Sequence, residues 1–396
     1  MTTTKFSNAR ELWDNRFRQL QEADLDRSMH CAQTPVGPNV VYPEGEMAVF
    51  CSNDYLGLAA HPALREALCR GASRWGVGAG ASRLVSGNTD AHEAVERETA
   101  ALVEKAAAVL FVSGYQANVG ALSCLVGEGD VIFSDELVHA SLIDGARLSR
   151  AETVIYPHRD TARLGELLDA HSSHGIRLIV TDTVFSMDGD TADIAALVET
   201  ARARGAALYL DEAHAMGVLG PRGAGLAASV GLASEIDVIV GTYSKAYGAA
   251  GAFVATSSGA ASLLKSRARG LLFSTGQPPA LSEAIRVSLA LVGSGDDLRE
   301  ALHSNIDTFL ENARALDLPI LPSSTAIQPI MTFGNARTMA VSAHLRSSGF
   351  FVQGIRPPTI PAGAARLRVT LSAAHAPDDI RRLTRAIRAA LDAVPE

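Results

Sequence analysis

The stretch ALYLDEAHAMG, Ala207–Gly217, decides the fold. Its first five residues are a continuous apolar run that ends in Asp211, and Glu212, Ala213 and His214 then complete the letters of a helicase's second ATP motif. A helicase also needs a phosphate loop that closes on Gly-Lys-Ser/Thr. No glycine in this chain is followed by lysine, so that reading fails. What remains is a strand that delivers an acid, and a histidine three residues later, to one edge of a sheet.

Similar runs lie on both sides of it. AVLFVS (108–113), DVIFS (130–134), TVIYP (153–157) and RLIVTD (177–182) precede it, and DVIVGT (237–242) and GAFVAT (251–256) follow. Segments such as DIAALVETARARG (193–205) are long enough for intervening helices. Fully apolar strands alternating with helices predict an α/β fold, a mostly parallel seven-stranded sheet flanked by helices. The last run reads as an antiparallel addition. Ligands of such sheets gather at the carboxyl ends of the strands.

Further out, residues 7–29 read as an amphipathic helix, 62–75 and 90–106 as helices, and 48–52 as a short strand. After STGQPPALSEAIRVSLALV (274–292) a long helical reading reaches about 317. IQPIMTF, a helix near 337–348, ARLRVTLS and a final helix 377–393 then make a smaller α+β C-terminal domain. The expected division is an N-terminal helix and arm over 1–48, a large domain over 49–284 and a small domain over 285–396.

Composition narrows the function. A net charge of −8 carries no nucleic-acid footprint. No run of about 18 apolar residues predicts a membrane span. The first twenty residues do not join a basic segment to an apolar one, so a cytoplasmic protein is expected. Cys31, Cys51, Cys69 and Cys124 form no Cys-x-x-Cys pair and read as reduced thiols.

The lysines are four: Lys5, Lys105, Lys245 and Lys265. Only Lys245, just past the run that ends at Gly241, falls on the same rim as Asp211. A metal could take Asp211, His214, His139 and Asp182, but no His-x-x-x-His spacing supports it. Nor do the glycines at 76, 78 and 80 spell a dinucleotide fingerprint. They suit a backbone that approaches a ligand or subunit closely. On structural grounds alone, Asp211 and His214 could equally cap a helix and fill the rim.

Pyridoxal phosphate uses all the pieces. Its aldehyde needs a lysine amine, which Lys245 offers. Its ring nitrogen needs a carboxylate such as Asp211 to stay protonated. His214 can reach the ring oxygen's edge, and His139 offers a planar face. A helix start at Ser113-Gly114-Tyr115, with the hydroxyls of Thr242 and Ser244, suits the phosphate.

The motifs SNDYLGLAAHP, GAGASRLVSG, SGYQAN, HASLIDGARLS, FSMDGD, LDEAHAMGVLGPRGAG, GTYSKAYGAAGAF, FSTGQPPA and ARLRVTLSAAH together resemble the α-oxoamine synthases, fold-type I pyridoxal-phosphate enzymes. The likeness runs from about residue 40 to the end. The C-terminal RPPTIPAGAARLRVTLSAAH is most similar to the biotin-pathway branch. The resemblance implies decarboxylative condensation of an amino acid, L-alanine in that branch, with an acyl thioester on CoA or a carrier protein. It implies that Lys245 bonds the cofactor and moves the α-proton, with catalytic support from Asp211, His139 and His214. Ser186 joins His214 at the ring oxygen, and Gly114, Tyr115 and Thr242 hold the phosphate. Thr275 serves the neighbouring subunit of a homodimer. Arg368 binds the amino-acid carboxylate with Asn53 nearby, and Arg27 is the single arginine after the first helix available for the acyl chain. Arg356 and His375 read as structural, and Glu212 has no assigned role. A synthase acting on another acyl chain or amino acid, an aminotransferase, and a non-catalytic binding protein are the competing readings.

Overall fold

The computed structural model describes residues 8–171 and 174–395. Lys5 and Ser7, the first residue of the expected 7–29 helix, lie outside them. Two short strands come first, β1 (Asn39–Tyr42) and β2 (Gly45–Val49). Seven strands then build the central sheet: β3 (Ala107–Phe111), β4 (Val131–Asp135), β5 (Glu152–Tyr156), β6 (Arg177–Asp182), β7 (Ala207–Asp211), β8 (Val238–Thr242) and β9 (Ala252–Thr256). Their order is β3-β9-β8-β7-β6-β4-β5. β4, β8 and β9 are buried along their whole length, which is why their sequences carry no polar alternation.

β9 is antiparallel to both neighbours. It lies inside the sheet, not at the edge, so an antiparallel addition is the right description of direction only. Asp211 stands opposite Asp182 in register, and Thr242 opposite Ala252. The ends of β4, β6, β7 and β8 therefore share one rim with the start of β9.

The helices differ from the expectation mainly at their ends. The first covers Ala9–Glu22 and buries none of its residues. The long reading after 292 is the helix Asp296–Ala315, and Ser294 and Gly295 separate it from a preceding helix, Pro279–Gly293.

The C-terminal sheet has the order β10-β13-β12, from β10 (Ile327–Phe333), β12 (Gln353–Ile355) and β13 (Ala365–Thr370). Between them β11 (Phe350–Phe351) pairs with β2, and the β1–β2 hairpin completes a separate three-stranded sheet.

Two expected boundaries fall inside regular elements. Helix Pro279–Gly293 runs through 284/285 and packs on the large unit: Trp75 Nε1 donates to Glu283 at 3.1 Å, and Arg286 Nε to Glu98 at 2.7 Å. A Cβ on Gly71 would come within 2.8 Å of the Ala280 backbone, so the two helices touch main chain to main chain. We propose Ser294–Gly295, the break between the two helices, as the change of unit. The 48/49 boundary falls inside β2, whose partner β11 belongs to the C-terminal part, so we assign the hairpin to that part.

Candidate active site

Each strand of the shared rim hands a polar side chain to the loop that follows. β7 contributes Asp211, whose Oδ1 accepts from the Ala213 N–H at 2.9 Å and whose Oδ2 accepts from Asn118 Nδ2 at 2.6 Å. Asn118 is itself fixed. Its Oδ1 accepts from Tyr209 Oη at 2.8 Å and its second N–H reaches Ser141 Oγ at 2.9 Å. A buried carboxylate held by charge-assisted bonds keeps one orientation.

β8 leads into the turn that carries Lys245. Its Nζ lies 2.8 Å from His214 Nε2, and His214 Nδ1 lies 2.6 Å from Tyr55 Oη. Tyr55 Oη donates to Asn53 Oδ1 at 3.2 Å, and Arg368 Nη1 donates to the same oxygen at 3.1 Å. The two ends set the direction of every proton between them. Arg368 can only donate, so the Asn53 atom is the carbonyl oxygen. Tyr55 spends its one proton there, so His214 Nδ1 carries the N–H that Tyr55 accepts. Nε2 is left as a lone pair facing Lys245, whose ammonium only donates.

Burial pulls the Lys245 amine down to about 8, against the opposing charge of Asp211 and with help from Arg368. Burial, followed by the cations Lys245 and Arg368, takes His214 well below the usual histidine range. The imidazole is therefore neutral, in agreement with the proton count. Next to Asp211, burial first and the Asp211 charge second raise the Asp182 carboxyl well above its ordinary value.

Asp182 also accepts from the His139 backbone N–H at 2.9 Å. It thus ties the start of helix Ala140–Ser149 to the sheet. His139 Nδ1 is 2.7 Å from Ser141 Oγ, so the ring is held at its edge while the residue stays exposed. One face of that ring is available to a planar partner.

Across the sheet, Ser113 caps helix Gly114–Leu125, accepting from Gln116 N at 3.2 Å. The first backbone N–H groups of a helix have no intrahelical acceptor. A Cβ built on Gly114 would stand 4.0 Å from Thr242 Cβ, so the helix start and the Thr242 end of β8 form one cradle. Thr242 Oγ1 is 2.7 Å from Ser244 Oγ. Tyr115 turns its hydroxyl to Asp144 Oδ2 at 2.5 Å, which leaves its backbone N–H as what it offers the cradle.

Several expected residues stand further off. Ser186 gives its carbonyl to Arg368 Nε at 2.5 Å, and no hydrogen bond of its hydroxyl is found among the described residues. Thr275 is exposed, with no hydrogen bond to the Lys245 cluster among the described residues. Arg27 is exposed and reaches Thr359 Oγ1 at 3.3 Å. Arg356 donates to the carbonyls of Asp24 and Asp26 and so fastens the N-terminal arm. Glu212 is a buried anchor, accepting from Thr183 Oγ1 at 2.8 Å and from the N–H groups of Leu226 and Ala227, both at 2.9 Å. Tyr55, Asn118 and Ser141 went unassigned in the sequence, although SNDYLG, SGYQAN and HASLIDG contain them.

The set fits pyridoxal phosphate: an amine of lowered pKa, a buried carboxylate locked in orientation, an exposed imidazole face, and a helix start lined by hydroxyls. Comparisons with known proteins agree. The family profile described as aminotransferase class I and II matches residues 46–387. The 8-amino-7-oxononanoate synthase of Aromatoleum aromaticum is 47% identical over 369 residues, 93% of this chain and 95% of that protein. Among solved structures, a serine palmitoyltransferase from S. paucimobilis, determined with PLP bound, superposes with a TM-score of 0.92 at 27% identity, covering 98% of this chain and 99% of that one. The 8-amino-7-oxononanoate synthase of Francisella tularensis gives a TM-score of 0.75 at 29% identity, covering 87% and 97%.

Proposed function

Given that the chain belongs to the class I and II aminotransferase family, and within it to the pyridoxal-phosphate α-oxoamine synthases, we propose that it catalyses the reaction of its 8-amino-7-oxononanoate synthase relatives. L-alanine and a pimeloyl thioester, on CoA or a carrier protein, give 8-amino-7-oxononanoate, CO2 and free thiol. The observation that carries this reading is that the Lys245 amine and the Asp211 carboxylate share one rim, with the Arg368 guanidinium of β13 brought over it. An amine, an acid and a carboxylate receptor are what an amino-acid enzyme of this cofactor requires.

When bound, pyridoxal phosphate supplies an electron sink that stabilises negative charge at the amino acid's α-carbon. The chain's residues do the rest. Lys245 would hold the cofactor and take the α-proton at Nζ; with a pKa near 8, about a tenth of the free amine is neutral at pH 7. Asp211, fixed by Asn118, would keep a proton on the ring nitrogen. His139 would cover one ring face, and His214 with Ser186 would border the ring oxygen. Gly114, Tyr115, Thr242 and Ser244 would receive the phosphate. Arg368 would orient the amino-acid carboxylate beside Asn53, and Arg27 would meet the far carboxylate of the acyl chain.

We further propose a homodimer in which Thr275 reaches the neighbouring subunit's phosphate. Val77, Leu84, Val85 and Phe273 support it, being 68–85% exposed on the glycine-rich segment and beside Thr275. Apolar side chains clustered in this way favour a partner surface. No helix among the described residues is long and apolar enough to cross a membrane, and all four cysteines are free. We place the enzyme in the cytoplasm. The test is optical: the purified protein is yellow, and Lys245→Ala loses both the colour that survives dialysis and all thiol release. Thiol release that persists in the variant would refute the assignment of Lys245.

A further inference from the structure

The same rim carries a second charged assembly that the proposed chemistry leaves unused. His158 follows β5, and both its ring nitrogens face carboxylates. Nδ1 is 3.0 Å from Asp135 Oδ1 at the end of β4, and Nε2 is 2.9 Å from Asp190 Oδ2 beyond β6. An ionised carboxylate only accepts, so both nitrogens donate and the ring is an imidazolium. Arg159 adds its Nη1 to Asp190 Oδ2 at 3.0 Å and its backbone N–H to Asp135 Oδ2 at 2.8 Å. Glu136 Oε1 accepts from the His158 backbone N–H at 3.0 Å. The Phe185 ring meets the imidazole edge-on at 4.3 Å. Burial alone would pull the imidazole down, but the two carboxylates outweigh it and hold it at about 9.

Asp190 closes a tight turn. Phe185 N donates to Asp190 O at 3.0 Å, and Gly189 N to Phe185 O at 2.8 Å. The outer atoms of this turn hold the C-terminal sheet and the segment that leads into β10. Ser186 O accepts from Arg368, Asp188 Oδ1 pairs with Arg366 at 2.5 Å, and Gly189 O accepts from Ser323 and Thr325 at 2.8 and 2.9 Å. On the inner side, Asp190 is where side chains of the loop after β5 grip the turn. Its Oδ1 is buried with no hydrogen-bond partner, so His158 and Arg159 balance its charge.

We propose that His158 is a positioning residue: bridging Asp135 to Asp190, it pins the 185–190 turn to the central sheet and so sets where Arg368 stands over the rim. The consequence for catalysis rests on the proposed role of Arg368, whereas the pinning does not. The contribution is present in full below the free-histidine pKa of about 6.5 and is lost as pH rises through about 9.

Two variants of the cofactor-loaded enzyme, His158→Gln and Asp190→Asn, provide the test. In both, the Phe185 and Gly189 amides should exchange with solvent about tenfold faster or more, while amides of β7 and β8 keep their protection. The KM for the amino acid should rise roughly tenfold, with kcat and the thioester KM changed much less. In the parent enzyme, nitrogen NMR of labelled histidine should find both His158 ring nitrogens protonated at pH 8, with titration near 9; in Asp190→Asn the titration should move lower. A neutral His158 ring at pH 7.5, or unaltered exchange in the turn of both variants, would overturn the proposal. Arg368→Lys measured alongside separates the two claims. If it leaves the amino-acid KM unchanged while the turn loosens in the other variants, Arg368 loses its role and the pinning stands.

Discussion

Tyr55 has one hydroxyl proton, and where it goes decides what His214 presents to Lys245. With that proton on Asn53 Oδ1, the imidazole keeps its own on Nδ1 and turns a lone pair toward the amine. Tyr55→Phe releases this arrangement at nearly constant volume. The pH at which the bound cofactor changes colour should shift by about half a unit or more, and kcat/KM should fall about tenfold; an unchanged spectral titration would contradict the proton count. Asn118→Leu should act on Asp211 instead. Loss of a hydrogen bond to a buried charge costs about 1.5–3 kcal/mol, so the cofactor Kd should rise roughly 10- to 150-fold in a dialysis titration. Lys245, Asp211 and His214 were legible in the sequence because strand ends place them. Tyr55 and Asn118 were not, because they meet His214 and Asp211 across 159 and 93 residues of chain. Nothing in the local pattern signals such a meeting.

Among the elements, the turn after β6 shows how one backbone atom constrains a joint. Gly189 has φ +70°, and a Cβ there would come within 2.3 Å of the Ile327 carbonyl oxygen. Gly189→Ala must therefore push β10 away from the turn. It should cost at least about 2 kcal/mol in urea unfolding and raise the amino-acid KM; a loss below about 0.5 kcal/mol would show that the joint is looser than this contact implies. The seven strands of the sheet could be read from their apolar runs, since burial on both faces leaves a plain signature. Their neighbours could not. The interior seat of β9 and the pairing of β2 with β11 depend on which edges meet in space, and those partners are separated by up to some three hundred residues. Helix 7–29 was overread past Glu22 for a related reason. Its continuation as far as Asp26 and Arg27 is held to the 356–359 segment by tertiary bonds and not by helical ones.

At the scale of the whole molecule, a buried imidazole ties the β1–β2 hairpin to the C-terminal part it belongs to, hundreds of residues further along the chain. His375 Nε2 donates to Val49 O at 2.9 Å, and its Nδ1 accepts from Ser372 N at 3.1 Å. Burial, only partly opposed by the Val49 carbonyl, holds its pKa at about 4. Unfolded, the ring takes up a proton below about 6.5, so its contribution is complete above that pH and is lost as pH falls through 4. Stability should decline over this window by roughly 3 kcal/mol from His375. His375→Gln should flatten the slope, as measured by denaturant midpoints from pH 7 to 4. An identical slope in the variant would remove His375 from the acid response.

The central claim concerns what the assembled site condenses, and it is tested most directly by its products. The cofactor-loaded enzyme is given L-alanine, glycine or L-serine in turn, each with pimeloyl, acetyl or palmitoyl thioester, and thiol release and product mass are followed together. L-alanine with the pimeloyl thioester should exceed every other pair by at least about tenfold in kcat/KM, yielding 8-amino-7-oxononanoate and one thiol per product. Equal turnover across the acyl chains, or an amine-form cofactor accumulating with the amino acid alone, would contradict the account.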